Sequence, residues 1–307
     1  MKILAYNNQA LSINGKGVYI EDLSALAENG SLIKIVTPIV NKGDLVYLDV
    51  DGKGDKLYRV LKCKGDVAMV MAMYDDLTSK WNETSTTTTM GTLVVQKYEG
   101  STLDTYLNTT WYGTLSTEAK NAIMAESLIC DAWFENDTGN PNYTGTWGTS
   151  VPGDTNYTIS KYAGDTLNIG NRYVFALGVQ DVIDYLSDDS VKVDTSAILR
   201  NVNIWKMFWN DEAGHSGKVA WLRSSYADSS SYVWAAGGPT GNLGHINPST
   251  NFVVRPAFNI NLSQVPFTVY QELPKKGDIV TLNLDGTDRE YRVLSMDGSV
   301  GEDHGDV

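Results

Sequence analysis

Residues 220–260 hold the most distinctive surface chemistry of the sequence. Strand-like ends, Trp221-Leu222-Arg223 and Phe252 to Ile260, enclose a stretch made mostly of Ser, Gly, Asn, Tyr, Trp, Asp and Ala. It is poor in Leu, Ile and Val, yet it carries Tyr226, Tyr232 and Trp234. Rigid aromatics cost little rotamer entropy to immobilise and offer large amphipathic contact area, while Ser, Gly and Asn supply adaptable hydrogen bonds. Antibody paratopes use the same mixture. Composition alone favours a glycine-rich surface loop with its aromatics turned inward. The other reading, non-covalent recognition with the aromatics exposed on the free protein, rests on the resemblance described below.

Groups that could make or break bonds are sparse and poorly spaced. His215, His245 and His304 are the three histidines, and none stands in a His-Glu-x-x-His or Cys-His ligand spacing. There is no Gly-x-x-x-x-Gly-Lys phosphate loop, no Gly-x-Ser-x-Gly elbow and no dinucleotide fingerprint after a strand. Asp131, Glu135 and Asp137 are close enough in sequence to work as acid and base, but with 37 Asp and Glu in the chain a solvated loop is the simpler reading. Cys63 and Cys130 are too few and too far apart for a disulfide framework or a metal knuckle and read as buried free thiols. No enzyme activity, cofactor or metal is expected.

The elements that position this stretch follow from local patterning. Residues 1–40 alternate turn signals with short runs such as Val18-Tyr19-Ile20 and Leu32 to Val36, which predicts a small β-rich segment able to dock or oligomerise. Leu45 to Val50 and Leu57 to Leu61, joined through Asp51-Gly52, form a hairpin pattern, and the wholly apolar Val67 to Met73 predicts a third, buried strand. Thr84 to Thr89 reads as an exposed loop. Ser101-Thr102-Leu103-Asp104 fits a capping box opening a short helix. A longer helix begins near Ser116 or Thr117 and ends before Trp133. Residues 135–158 read as a long irregular excursion, Tyr173 to Leu177 as a strand, and Val179, Val182, Ile183 and Leu186 as one face of another helix. Lys276 to Gly286 followed by Tyr291-Arg292-Val293-Leu294 repeats Lys42 to Gly52 followed by Tyr58-Arg59-Val60-Leu61, one residue shorter in the turn. The repeat leaves two readings open, a chain that is the front of a longer tandem protein or a stand-alone second hairpin. The organisation expected is a segment 1–40, a ligand-binding domain 41–263, and a linker with the second hairpin over 264–307.

Bulk properties narrow the partners. The 307 residues are 42% hydrophobic with a net charge of −13. Nucleic acid and anionic membrane both call for basic patches, so neither is an expected partner. No apolar run approaches the roughly 18 residues of a membrane span, and Met1 to Gln9 lead into no secretion signal. Seven Asn-x-Ser/Thr sequons, at Asn29, Asn82, Asn108, Asn136, Asn142, Asn156 and Asn261, read as chance in a chain rich in Asn and Thr.

The pattern of Trp221-Leu222-Arg223-Ser224, a polar and aromatic stretch, and Val254-Arg255-Pro256-Ala257-Phe258 resembles the C-terminal part of the variable proteins of diversity-generating retroelements, which have a C-type lectin fold. Tyr106-Leu107-Asn108 and Phe175-Ala176-Leu177, each before a helix, add to the resemblance. It implies an α+β fold, a C-type lectin-like domain with the β-rich N-terminal segment and the C-terminal hairpin repeat attached. The implied binding face is Ser224, Ser225, Tyr226, Asp228, Ser229, Ser230, Tyr232, Trp234, Asn242, His245, Asn247, Ser249 and Asn251. Trp221, Leu222, Arg223, Arg255, Pro256 and Phe258 hold the frame. The function implied is receptor binding by a phage virion component, at the tail or surface, or by a bacterial surface adhesin. Its partners are a host-surface protein or glycan and other virion proteins, with a homo-oligomer allowed. A structural virion or assembly protein is the alternative. Formylglycine-generating enzymes share that frame, but Cys63 and Cys130 fall away from the face. Trp209-Asn210-Asp211 matches half of a calcium-lectin motif, too few oxygens for a hard cation.

Overall fold

Alternating burial builds the first sheet. In the strand Lys56–Lys64, Tyr58 and Val60 are buried between half-exposed Leu57 and Arg59, the period of two of a strand with one packed face. It pairs antiparallel with Leu45–Leu48, Val46 opposite Tyr58, and with Val67–Ala72, in which every residue after Val67 is buried. The hairpin and the buried third strand are thus where their periodicity puts them. Six strands complete this sheet, in the order Ile123–Met124, Ala257–Asn261, Val67–Ala72, Lys56–Lys64, Leu45–Leu48 and Phe267–Val269, all antiparallel.

The computed structural model describes residues 2–3, 5–6, 9–10, 12–13, 16–17, 19–20, 40–74, 76–137, 157–186, 197–199, 218–237, 242–270, 279–283 and 288–292. Two compact units divide the chain, Met1–Val269 and Tyr270–Val307. In the first unit a second sheet runs Thr78–Lys80, Asn251–Val253, Val219–Tyr226, Ala132–Asp137, Tyr157–Lys161 and Ala197–Leu199. Val233–Gly237 pairs with Val219–Tyr226 on its other side, and Asn242–Ile246 pairs with Val233–Gly237. Val219–Tyr226, Val233–Gly237 and Asn242–Ile246 form a three-stranded meander, after which Asn251–Val253 pairs parallel with Val219–Tyr226 and Ala257–Asn261 crosses to the first sheet. Small two-stranded pairs include Thr87–Met90 with Leu93–Gln96 and Glu126–Cys130 with Leu167–Arg172. Of residues 1–40, Lys2–Ile3 pairs with Tyr19–Ile20, while Leu32 to Val36 lie outside the described residues.

The helices are short. Ser101 accepts from Asp104 N at 3.1 Å and opens the helix Thr102–Thr105, which passes into the π-helix Tyr106–Trp111. Ser116 caps Thr117–Ala122 in the same way, and Val179–Leu186 buries Val179, Val182, Ile183 and Leu186, the face its spacing predicts.

This architecture corrects the α+β, C-type lectin expectation: strands dominate the described residues, in several antiparallel sheets with few short helices. One cause is local. The second helix was expected to take in Glu126 and end before Trp133, but it stops at Ala122, and in Glu126–Cys130 Leu128 and Cys130 are buried while Ser127 and Ile129 are exposed. That is a strand period, and the residues pair accordingly. Tyr173 to Leu177, expected as a strand, is extended chain making one bridge, Phe175 to Ala257. Thr87 to Thr89, expected as loop, join the strand Thr87–Met90.

Four fully buried tryptophans, Trp81, Trp133, Trp221 and Trp234, lie in the core. Two of them bind each other's strands: Trp81 Nε1 donates to Leu222 O at 2.8 Å and Trp221 Nε1 to Ser79 O at 2.7 Å. Trp221, Leu222, Arg223, Arg255, Pro256 and Phe258 are all interior, as expected of a frame.

The second unit repeats the first hairpin. Ile279–Asn283 pairs antiparallel with Asp288–Arg292, and Ile279 opposite Arg292 and Val280 opposite Tyr291 reproduce Leu45 opposite Arg59 and Val46 opposite Tyr58.

Candidate functional site

Val219–Tyr226 and Val233–Gly237 turn through Ala227 to Tyr232, and His245 on Asn242–Ile246 stands directly opposite Trp234. Cross-strand pairing puts these rings on one face. The Tyr226 ring stacks on His245 at 4.1 Å and 19°. Tyr232 meets His245 edge-on at 5.1 Å and Tyr226 at 6.2 Å, and Trp234 closes the group 5.8 Å from Tyr226. Below the rings, His245 Nδ1 lies 2.8 Å from Glu135 Oε2, whose side chain is 5% exposed. A carboxylate at this distance fixes the ring plane that Tyr226 covers.

The expected face is only partly a face. Ser224, Ser225 and Trp234 are completely buried, which corrects the expectation that the aromatics are all exposed. Every residue of Val233–Gly237 is buried, so both faces of this strand are covered, and Trp234 Nε1 is used internally, donating to Trp133 O at 3.1 Å. Gly237 shows how close this packing is: φ is +123°, and a Cβ there would stand 2.3 Å from Lys218 O. Tyr226, Ser229, Ser230 and His245 are half-buried, and Asp228 and Tyr232 are exposed. Asn247, Ser249 and Asn251 are exposed but belong to another corner. Asn247 Oδ1 accepts from Ser249 N and Oγ at 2.9 and 2.7 Å, and Asn251 Nδ2 reaches Thr78 Oγ1 at 3.4 Å. Asn242 lies on its strand, and its side chain is outside the described residues.

The buried serines serve structure. Ser224 Oγ donates to Asp131 and accepts from Val179 N at 2.9 Å, holding the start of Val179–Leu186. Ser225 Oγ donates to Gln96 O at 2.8 Å. Arg223 pairs with Asp181 and donates to Ala176 O and Ile129 O, each at 3.0 Å. Burial opposes the Arg223 charge, but Asp181, through charge and hydrogen bond, and the Asp131 charge together outweigh it and raise the pKa above its ordinary value. Cys130 Sγ donates to Arg223 O at 3.2 Å, and burial, reinforced by the Asp131 charge, pushes the thiol up to about 12. A thiol so protonated is not a nucleophile near neutral pH.

Sequence reasoning found His245 but not its partner. Glu135 was noted only as a neighbour of Asp131 and Asp137, and the structure gives the acids different tasks: Asp131 holds Ser224 and Lys161 Nζ (3.3 Å), Glu135 holds His245, and the side chain of Asp137 lies outside the described residues. Glu135 was read as the start of an irregular excursion, and no local signal pointed to its pairing with His245. His215 and His304 lie outside the described residues. Among those described, no three His, Cys, Asp or Glu converge as metal ligands, and no helix is long and apolar enough to cross a membrane.

Among known families, a model described as a domain of unknown function, DUF6273, matches residues 79–262. The match takes in both cap-and-helix segments, the second sheet from Thr78–Lys80 onward and the whole aromatic group. No curated protein matches the chain, and no solved structure does.

Proposed function

The chain belongs to the DUF6273 family, and we propose that it is a ligand-binding protein rather than a catalyst, presenting Tyr232, Tyr226 and His245, with the Ala227 to Ser231 turn, to a macromolecular ligand, a protein or glycan displayed on a surface. The observation that carries this reading is the exposed Tyr232 ring, 38% accessible, set against Tyr226 and His245 over the buried Glu135. An exposed aromatic pre-ordered by its neighbours loses little entropy on binding, and such anchors dominate interface energetics. The hydroxyls of Ser224 and Ser225 support the same reading from the other side, since both are sequestered in the core.

The test is selection of ligands from a displayed peptide library and a glycan array, followed by measurement with variants. Tyr232→Ala is expected to weaken a selected ligand by at least about 2 kcal/mol, with the melting temperature little changed. Ligands that bind Tyr232→Ala and His245→Ala as tightly as the parent would place the binding surface elsewhere.

A further inference from the structure

A second recessed surface lies away from the aromatic group. The helical run from Thr102 to Trp111 lines a cleft of about 400 Å³ with Thr102, Thr105, Tyr106 and Thr110, spaced as one helical face; Asn82 and Glu83 stand on the other wall. That volume falls within the roughly 300–1,000 Å³ of small-molecule sites. Neither Tyr226, Tyr232 nor His245 lines it.

The walls are fixed from behind. Trp81 N and Asn82 N both donate to Pro248 O at 3.0 Å, and Thr102 Oγ1 accepts from Glu83 N at 2.9 Å, joining loop to helix. Within this scaffold Asn82 is only 5% exposed, and its Nδ2 has no hydrogen-bond partner among the described residues. A buried donor without an acceptor carries an uncompensated desolvation cost, which a ligand oxygen removes. The charge in the cleft is balanced: Glu83, the single carboxylate of the lining, is held by Lys80 Nζ at 2.7 Å, and no Lys or Arg lines the cleft. Hydroxyls that both donate and accept, an amide and one phenol ring are left as the recognition groups. Phosphate or carboxylate ligands would lack a cation in the lining.

We propose that this cleft binds a neutral carbohydrate, with the Asn82 carboxamide donating to a ring or hydroxyl oxygen, Thr105 and Thr110 exchanging hydrogen bonds with adjacent sugar hydroxyls, and Tyr106 covering the less polar sugar face. The binding needs no metal.

The experiment titrates the full chain with glucose, galactose, mannose, N-acetylglucosamine, maltose and lactose at millimolar concentration, with galacturonate and glucosamine as charged counterparts. Ligand-observed NMR and calorimetry give the readout. At least one neutral sugar is expected to bind, more tightly than the charged probes. Thr105→Val with Thr110→Val, both on exposed positions and so harmless to folding, should weaken it roughly tenfold, as should Tyr106→Ala. Asn82→Ala should do the same where its melting curve shows it folded, while Tyr232→Ala should leave sugar affinity unchanged. Absence of binding across the panel overturns the proposal, as does binding that survives the threonine and tyrosine changes or that favours a charged sugar. The parallel result with Tyr232→Ala keeps this outcome separate from the fate of the aromatic face.

Discussion

Cys130 states most clearly what burial does to a single side chain. Its folded pKa, about 12 against an ordinary 9.0, is raised, so the stability it contributes is fully present below about pH 9 and is lost as pH climbs towards 12. Denaturation midpoints are therefore expected to fall above pH 9, and Cys130→Ala should flatten that decline; equal slopes for parent and variant would contradict the assignment. A disulfide reagent at neutral pH should modify half-buried Cys63 and spare Cys130 until the chain unfolds. The same inside-outside logic separates two neighbouring aromatics. Trp234→Ala should cost roughly 3–5 kcal/mol of stability, whereas Tyr232→Ala should stay within about 0.5 kcal/mol, a contrast that paired melting curves would check.

Among the elements, Val179–Leu186 depends most on a distant anchor. Arg223 reaches it through Asp181, and Ser224 receives its first amide. Asp181→Ala leaves a buried guanidinium without its carboxylate, and removal of one partner of a buried pair costs about 3–5 kcal/mol; a loss under about 1 kcal/mol by chemical denaturation would show the pair to be incidental. The helix itself was legible in the sequence because its signal is local: four apolar residues at helical spacing. Ser101 was legible as a cap for the same reason, and so was the 45–61 hairpin, whose period of two and Asp-Gly turn are contained in twenty residues. Glu126 to Cys130 was misread because a preceding helical period ran on into it. The recognition site was legible only in composition. Tyr226, Tyr232 and His245 were picked out by type, but nothing in the spacing separates exposed Tyr232 from buried Trp234, two residues apart; strand order decides that. The pairing of Glu135 with His245, and the facing of Asn82 by Tyr106, arise from long-range closure and leave no local trace.

At the scale of the molecule, the division at Val269 carries its own prediction. Both large sheets lie within Met1–Val269, so a chain ending after Val269 should keep a cooperative melting transition close to that of the parent; its loss would show that Tyr270–Val307 is needed to hold the sheets. A chain ending after Val253 should not fold, because Ala257–Asn261 is absent. That strand lies between Val67–Ala72 and Ile123–Met124 rather than at an edge. On the ribosome the consequence is a wait. Val67–Ala72 is made well before its second neighbour, Ala257–Asn261, which begins 185 residues after Ala72, on the order of 10–40 s at usual synthesis rates. For that interval a strand of Val, Ala and Met has an unpaired side, the condition that invites nascent chains to associate. The yield of this protein in a cell should therefore respond to elongation rate and to chaperones that shield apolar nascent segments.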